Sequence, residues 1–152
     1  MKPSKEEIQL RMDRFEKALR TSGIKLTHQR IEVFREVART GDHPDAKTIF
    51  ERVKTRMPTI SLDTVYRTLM MLIDMGLITT FDSTRGKVRF DANVDLHHHF
   101  VCTKCGMVSD FYSEEFNNLE VPRQVSEVGD VATTRVQFRG LCSRCRDRED
   151  KQ

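Results

Sequence analysis

The sequence predicts an α+β protein: an N-terminal winged helix-turn-helix followed by a small C-terminal α/β domain built around a four-cysteine zinc site. Three observations predict it. Apolar residues recur with helical period in four segments before residue 76. Two short β-prone runs then flank a polar turn. All four cysteines of the 152-residue chain fall in two Cys-x-x-Cys pairs, Cys102/Cys105 and Cys142/Cys145.

Taken in order, residues 5–21 carry Ile8, Met12, Phe15 and Leu19 at helical spacing and stop at Gly23. Thr27 can cap a second helix with Ile31, Phe34 and Ala38 on one face. The Gly41-Asp42-His43-Pro44 turn breaks it, and Asp45 can start a third. Its stripe is Ala46, Ile49, Phe50, Val53 and Met57, ended by Pro58. Ser61 can cap a fourth helix reaching about Met75, with Val65, Leu69, Leu72 and Ile73 inward. Thr64, Tyr66, Arg67, Met70 and Asp74 then face outward. A hairpin follows, 77–81 and 87–91, around the basic tip 82–86. Helices followed by a hairpin make a winged helix, which assigns residues 1–91 to a DNA-binding domain. An outward Tyr-Arg pair near a helix N-terminus suits the major groove, Arg by bidentate donors and Tyr by a flat apolar body. A Tyr lying on a neighbouring helix beside a solvated Arg is the other reading of that pair.

Residues 92–95 form a short polar hinge, and residues 96–152 a second domain. Strands are predicted at 97–101, about 107–112 and about 132–139. A short helix behind Pro122 should carry Val121, Val125 and Val128, and the charged tail after Cys145 should fray.

Charge divides the same way. Residues 1–91 carry 18 Lys+Arg against 13 Asp+Glu, a net +5, while residues 92–152 carry 8 against 10, a net −2. A basic first half points to a polyanionic partner, although solvated helix faces give the same count. No run of 18 apolar residues predicts a transmembrane helix, and the N-terminus does not read as a signal peptide, so a reducing, cytoplasmic setting is expected.

Two Cys-x-x-Cys knuckles close a tetrahedral S₄ site, and with no open position such a zinc is structural. A redox pair or a disulfide is the competing reading, and no thioredoxin-like βαβ pattern supports it. A second donor set is looser. His97 and His99 share one face of a strand, with His98 opposite, and Asp91 and Asp110 flank them. Imidazoles with carboxylates suit Fe(II) or Mn(II), and also zinc, while a surface histidine run with no ligand is the alternative. From the residues alone nothing joins His43 to that set.

The chain resembles the ferric uptake regulator family along nearly its whole length. The resemblance rests on Thr27-His28-Gln29-Arg30, His43-Pro44, Thr64-Val65-Tyr66-Arg67-Thr68-Leu69, Gly76-Leu77-Ile78, Arg89-Phe90-Asp91, His97-His98-His99-Phe100-Val101-Cys102, Cys105-Gly106 and Cys142-x-x-Cys145. It implies a homodimeric, metal-dependent transcriptional repressor whose C-terminal α/β domain is the dimerisation domain. It implies structural zinc on Cys102, Cys105, Cys142 and Cys145, and regulatory Fe(II) or Mn(II) on His43, Asp91, His97, His99 and Asp110. Such a metal would draw the two domains into the arrangement that fits a palindromic operator in double-stranded DNA. DNA-binding candidates are Lys25, Arg30, Thr64, Tyr66, Arg67, Arg85 and Lys87. Asp110 stands where many iron-sensing members have Glu, so the chain is more similar to the peroxide-sensing PerR type. That type implies His43 and His97 as oxidation targets. An iron-responsive regulator without peroxide sensing is the alternative, followed by a zinc-responsive one. A further family site would fall on Leu96, His98, Asn117 and Thr134, which cannot rebuild it, so two metals per chain are expected. No catalytic residue, small-molecule substrate or membrane partner is expected. An oxygen-activating enzyme would leave the helix-turn-helix unexplained, and a zinc-ribbon adaptor would bind without regard to sequence or Fe(II).

Overall fold

The first unit is built by local capping as much as by burial. The computed structural model describes residues 2–149, the side chains of Arg85 and Glu149 excepted. Helix α1, Lys5–Thr21, opens on a capping box in which Ser4 accepts from Glu7 N–H and the Glu7 side chain accepts from Ser4 N–H. Thr27 caps α2 (His28–Ala38), Asp45 caps α3 (Ala46–Lys54) and Ser61 caps α4 (Leu62–Asp74), each by accepting a backbone N–H from three residues on. Strands β1 (Thr79–Asp82) and β2 (Val88–Asp91) pair antiparallel, with a 3₁₀ turn over Thr84–Gly86 between them. This is the winged helix.

Its core joins Phe15 and Leu19 of α1, Val33, Phe34 and Val37 of α2, Ile49 and Val53 of α3, and Val65, Leu69 and Leu72 of α4. Ile78 and Phe90 close it from the hairpin. The Phe15 and Phe34 rings stack at 4.5 Å. A second layer of cohesion is ionic. Glu32 and Glu36, both buried on α2, meet Arg56 of the α3 end at 2.9 Å each, and Arg35, Arg39 and Arg52 complete the lattice.

Several boundaries differ from the sequence reading for local reasons. The first strand starts at Thr79, because Gly76 at φ +67° and Leu77 end α4: their N–H groups bond the Ile73 and Leu72 carbonyls. Helix α3 stops at Lys54 rather than near Pro58, since the N–H groups of Arg56 and Met57 both turn onto the Val53 carbonyl.

One compact unit ends at Val94 and a second begins at Asp95. The second holds a three-stranded sheet in the order β4-β3-β5. Strand β3 (His98–Cys102) runs antiparallel to β4 (Val108–Phe111) and parallel to β5 (Gln137–Gly140). Short helices α5 (Glu114–Asn117) and α6 (Arg123–Ser126) lie between β4 and β5, and α7 (Ser143–Glu149) follows. The last strand covers 137–140 rather than 132–139, since only those residues pair with β3. The tail beyond Cys145 does not fray as far as it is described: α7 continues through it. The valines behind Pro122 do not form a buried face; Val125 and Val128 are exposed.

Candidate metal centres and nucleic-acid interface

The four cysteines form one cluster in the second unit. Cys102 ends β3, and the chain turns back through Cys105, with Gly106 at φ +73° donating its N–H to the Cys102 carbonyl. Cys142 precedes α7, and Cys145 N–H bonds the Cys142 carbonyl. The two knuckles are joined where Cys142 N–H donates to Cys102 Sγ at 3.4 Å. All four sulfurs lie within 4.8 Å of one another, and Cys105 Sγ and Cys142 Sγ are 3.8 Å apart. A tetrahedron with metal–sulfur bonds of about 2.3 Å has edges near 3.8 Å, whereas a disulfide needs sulfurs about 2 Å apart. The set therefore fits zinc. Backbone N–H groups of Cys105, Cys142 and Lys104 aimed at the Cys102 sulfur pull its thiol down to about 6. Burial, with the other three sulfurs beside it, pushes Cys145 up to about 12. A neighbouring cation would reverse that second shift.

The imidazole and carboxylate donors are held differently in each unit. In the first, His43 Nε2 lies 3.3 Å from Asp91 Oδ2, and both side chains are buried. The His43 ring meets Phe81 edge-on at 5.4 Å. In the second, register places His99 opposite Asp110, with His99 Nε2 at 3.5 Å and His97 Nε2 at 3.9 Å from Asp110 Oδ1. His97 Nδ1 lies 2.7 Å from the Asp95 carbonyl, so that nitrogen donates, and in the neutral ring Nε2 carries the lone pair. That lone pair faces His99 Nε2 at 3.0 Å. A ligating histidine whose far N–H is anchored on a carbonyl is the usual arrangement around a divalent metal. The second set thus fits a cation, and neither set contains a thiolate.

His98 is on the opposite face, as strand alternation predicts, and it is spoken for. Its Nδ1 accepts from Val136 N–H at 3.1 Å, so Nε2 donates to Asn117 Oδ1 at 3.0 Å. The ring packs against Phe111 and Phe116.

On the fourth helix, Tyr66 and Arg67 are exposed and Thr64 is half-buried, its hydroxyl 2.9 Å from Ser61 Oγ. Thr68, not singled out in the sequence, is buried and donates to the Thr64 carbonyl. Arg67 Nε pairs with Asp63 Oδ2 at 2.9 Å, and the Arg67 side chain is exposed. Lys87 Nζ lies 3.3 Å from Asp45 Oδ2, and Arg30 folds onto the Lys25 carbonyl. The Arg85 side chain lies outside the described part of the structure. Arg89 and Asp95 are not among the predicted site residues: Arg89 donates to the His43 carbonyl, and Asp95 offers its backbone carbonyl to His97 Nδ1.

The model of the Ferric uptake regulator family matches residues 21–138. The Peroxide-responsive repressor PerR of Staphylococcus aureus strain Mu50 is 30% identical over 143 residues, covering 94% of this chain and 97% of that protein. Among solved structures, the ferric uptake regulator of Francisella tularensis with iron superposes with a TM-score of 0.68 at 26% identity, over 82% of this chain and 96% of the other. The Helicobacter pylori ferric uptake regulator Fur does so with a TM-score of 0.73 at 22% identity, covering 91% and 93% of the two chains, a likeness of fold. No helix among the described residues is long and apolar enough to cross a membrane.

Proposed function

The chain belongs to the ferric uptake regulator family, and from that premise we propose that it is a metal-dependent repressor of transcription that senses peroxide. The family consists of metal-responsive transcription regulators rather than enzymes. In this reading Cys102, Cys105, Cys142 and Cys145 hold structural zinc. His43, Asp91, His97, His99 and Asp110 together hold one regulatory Fe(II), with Mn(II) as the alternative corepressor. The protein works in the cytoplasm as a homodimer, and Tyr66 and Arg67 of each copy read one half of a palindromic operator.

The observation that carries the reading is the separation of donor types. Every thiol is in one cluster, and the imidazole–carboxylate sets of both units contain none. Such ligands do not impose the preference for zinc that thiolates do, so they leave room for iron or manganese. Bound Fe(II) supplies the chemistry that cleaves peroxide. His43 and His97 present electron-rich rings, and each would gain one oxygen atom from one peroxide, a ring C–H becoming C–OH while the other peroxide oxygen leaves as water. An oxidised imidazole donates poorly, so the two units are no longer held for the operator. The PerR relative at 30% identity supports the peroxide reading over a plain iron response.

The test is binding to duplexes selected from a randomised library, with Fe(II), Mn(II) or Zn(II), before and after brief peroxide treatment. Fe(II) and Mn(II) should both support binding, and peroxide should abolish it only in the iron form. Mass spectrometry should then find one added oxygen on the peptide containing His43 or His97. Unmodified histidines with binding intact in the iron form would assign the protein as an iron-responsive regulator. Binding supported by Zn(II) alone would assign it as a zinc-responsive one.

A further inference from the structure

Among the described residues His43 is alone, glycine aside, in having a positive φ, +50°. The left-handed region is uphill for a residue with a side chain, and a residue before proline is normally driven to extended backbone. Such a conformation persists only where its surroundings over-determine it. Here they do so from the hairpin. Arg89 Nη1 donates to the His43 carbonyl at 3.0 Å, and Phe90 N–H donates to the next carbonyl, Pro44, at 3.1 Å. The same guanidinium reaches back through Nε to Ser83 Oγ at 3.3 Å, and that hydroxyl donates to the Lys87 carbonyl at 2.9 Å. Arg89 is thus fixed at the root of the wing before it grips the loop. On the other side of His43, Asp42 is bound by Arg52 of α3.

We infer that Arg89 is a positioning residue for the regulatory metal: by holding the His43 carbonyl it fixes the turn that presents the His43 imidazole beside Asp91. The inference rests on the reading of His43 as a ligand given above. Arg89 acts on a ligand's backbone rather than on its ring, from a position two residues before Asp91 on the same strand. Without it, the loop relaxes toward the extended backbone that Pro44 favours, and the imidazole no longer points where Asp91 does.

The test is Mn(II) affinity of the zinc-loaded, full-length protein, read from the electron paramagnetic resonance of free Mn(II). Four variants are compared with the native chain: Arg89→Met, which keeps the reach and loses the donors, Arg89→Lys, His43→Ala, and the double variant Arg89→Met/His43→Ala. Removing a group that orients a ligand typically weakens metal binding by roughly 10–100-fold, and that loss is expected for Arg89→Met. Arg89→Lys should fall between, since one ammonium cannot hold both Ser83 and the His43 carbonyl. The double variant should bind no more weakly than His43→Ala, because Arg89 acts through His43. A purely structural Arg89 would instead add its loss to that of His43→Ala, and this result overturns the inference. So does Mn(II) binding by Arg89→Met within about threefold of native while His43→Ala is weakened. If Arg89→Met does not fold, Arg89→Lys and its double variant with His43→Ala carry the same comparison. Native affinity in His43→Ala overturns the inference together with the regulatory site, which separates the two failures.

Discussion

His98 sits between two histidines that face a metal-binding set and has a different task. Both of its ring nitrogens are used, one by Val136 N–H and one by Asn117. Replacing Asn117 with Ala leaves a buried N–H without its acceptor, which costs roughly 1–3 kcal/mol. Thermal melting should fall accordingly, while the number of Mn(II) ions bound per chain stays unchanged. Arg67 is the residue where specificity should be read. Its Nε is paired with Asp63, and for a bidentate contact to a guanine edge Arg67→Ala should weaken binding to a selected duplex by roughly 1–3 kcal/mol. Random duplexes should lose much less, measured at fixed salt; equal losses on both would mean that Arg67 touches only phosphate. The sharing of a face by His97 and His99 was legible because strand alternation is a property of neighbours. The role of His98 was not, since its partners lie 19 and 38 residues away. His43 could be joined to a ligand set only by family resemblance, because its backbone turn depends on Arg89, 46 residues on.

At the scale of elements, the α2–α3 contact is held by charge buried beside the core. Burial alone would raise the Glu32 carboxyl, but the Arg56 hydrogen bond and the charges of Arg35 and Arg56 outweigh it and hold the group below its usual range. Asp42 is lowered in the same way by Arg52 and Thr40. A carboxyl whose folded pKa is depressed stabilises the fold above its unfolded pKa, and that stability is lost as pH falls through the folded value. Glu32→Gln should therefore cost roughly 1.5–3 kcal/mol near neutral pH, the range for hydrogen bonds to charged groups. The gap to the native protein should close as pH drops below the ordinary carboxylate range. Chemical denaturation at a series of pH values checks it; a gap that stays constant would mean that Glu32 acts by packing. The first four helices were legible in the sequence because their caps and stops are local: Ser4, Thr27, Asp45, Ser61 and Gly76 all act within a few residues. The ion lattice was not, since Glu32 and Arg56 are ordinary charges until α2 and α3 are packed. The strand at 137–140 was misplaced because its length is set by pairing with β3 and not by its own composition.

For the whole molecule, the two units draw on different sources of stability. The first has a core of seventeen buried apolar side chains. In the second, Cys102, Cys142 and Cys145 form a buried cluster with Phe100 packed on it, and among the described residues only Val101 and Val108 add to the buried apolar set. Where apolar burial is this small, metal–ligand bonds have to supply folding free energy. Cys102→Ser, or a chelator strong enough to strip zinc, should abolish protection of amides in β3–β5 while those in α1–α4 remain protected. Hydrogen exchange read by mass spectrometry separates the two units. Uniform loss of protection in both would show that the first does not stand by itself.

Helix α7 has seven residues, too few to be helical in water by itself, and its first turn contains Cys145 with Cys142 immediately before it. Its arginines, Arg144, Arg146 and Arg148, are exposed. Trypsin cuts after arginine only where the backbone can be drawn out into its cleft, which a pinned helix resists. The C-terminal end should therefore act as a tally of zinc: in a population of molecules, the fraction clipped after Arg144 and Arg146 in a brief digest is expected to count the chains that have lost their metal, with no need to measure the metal at all.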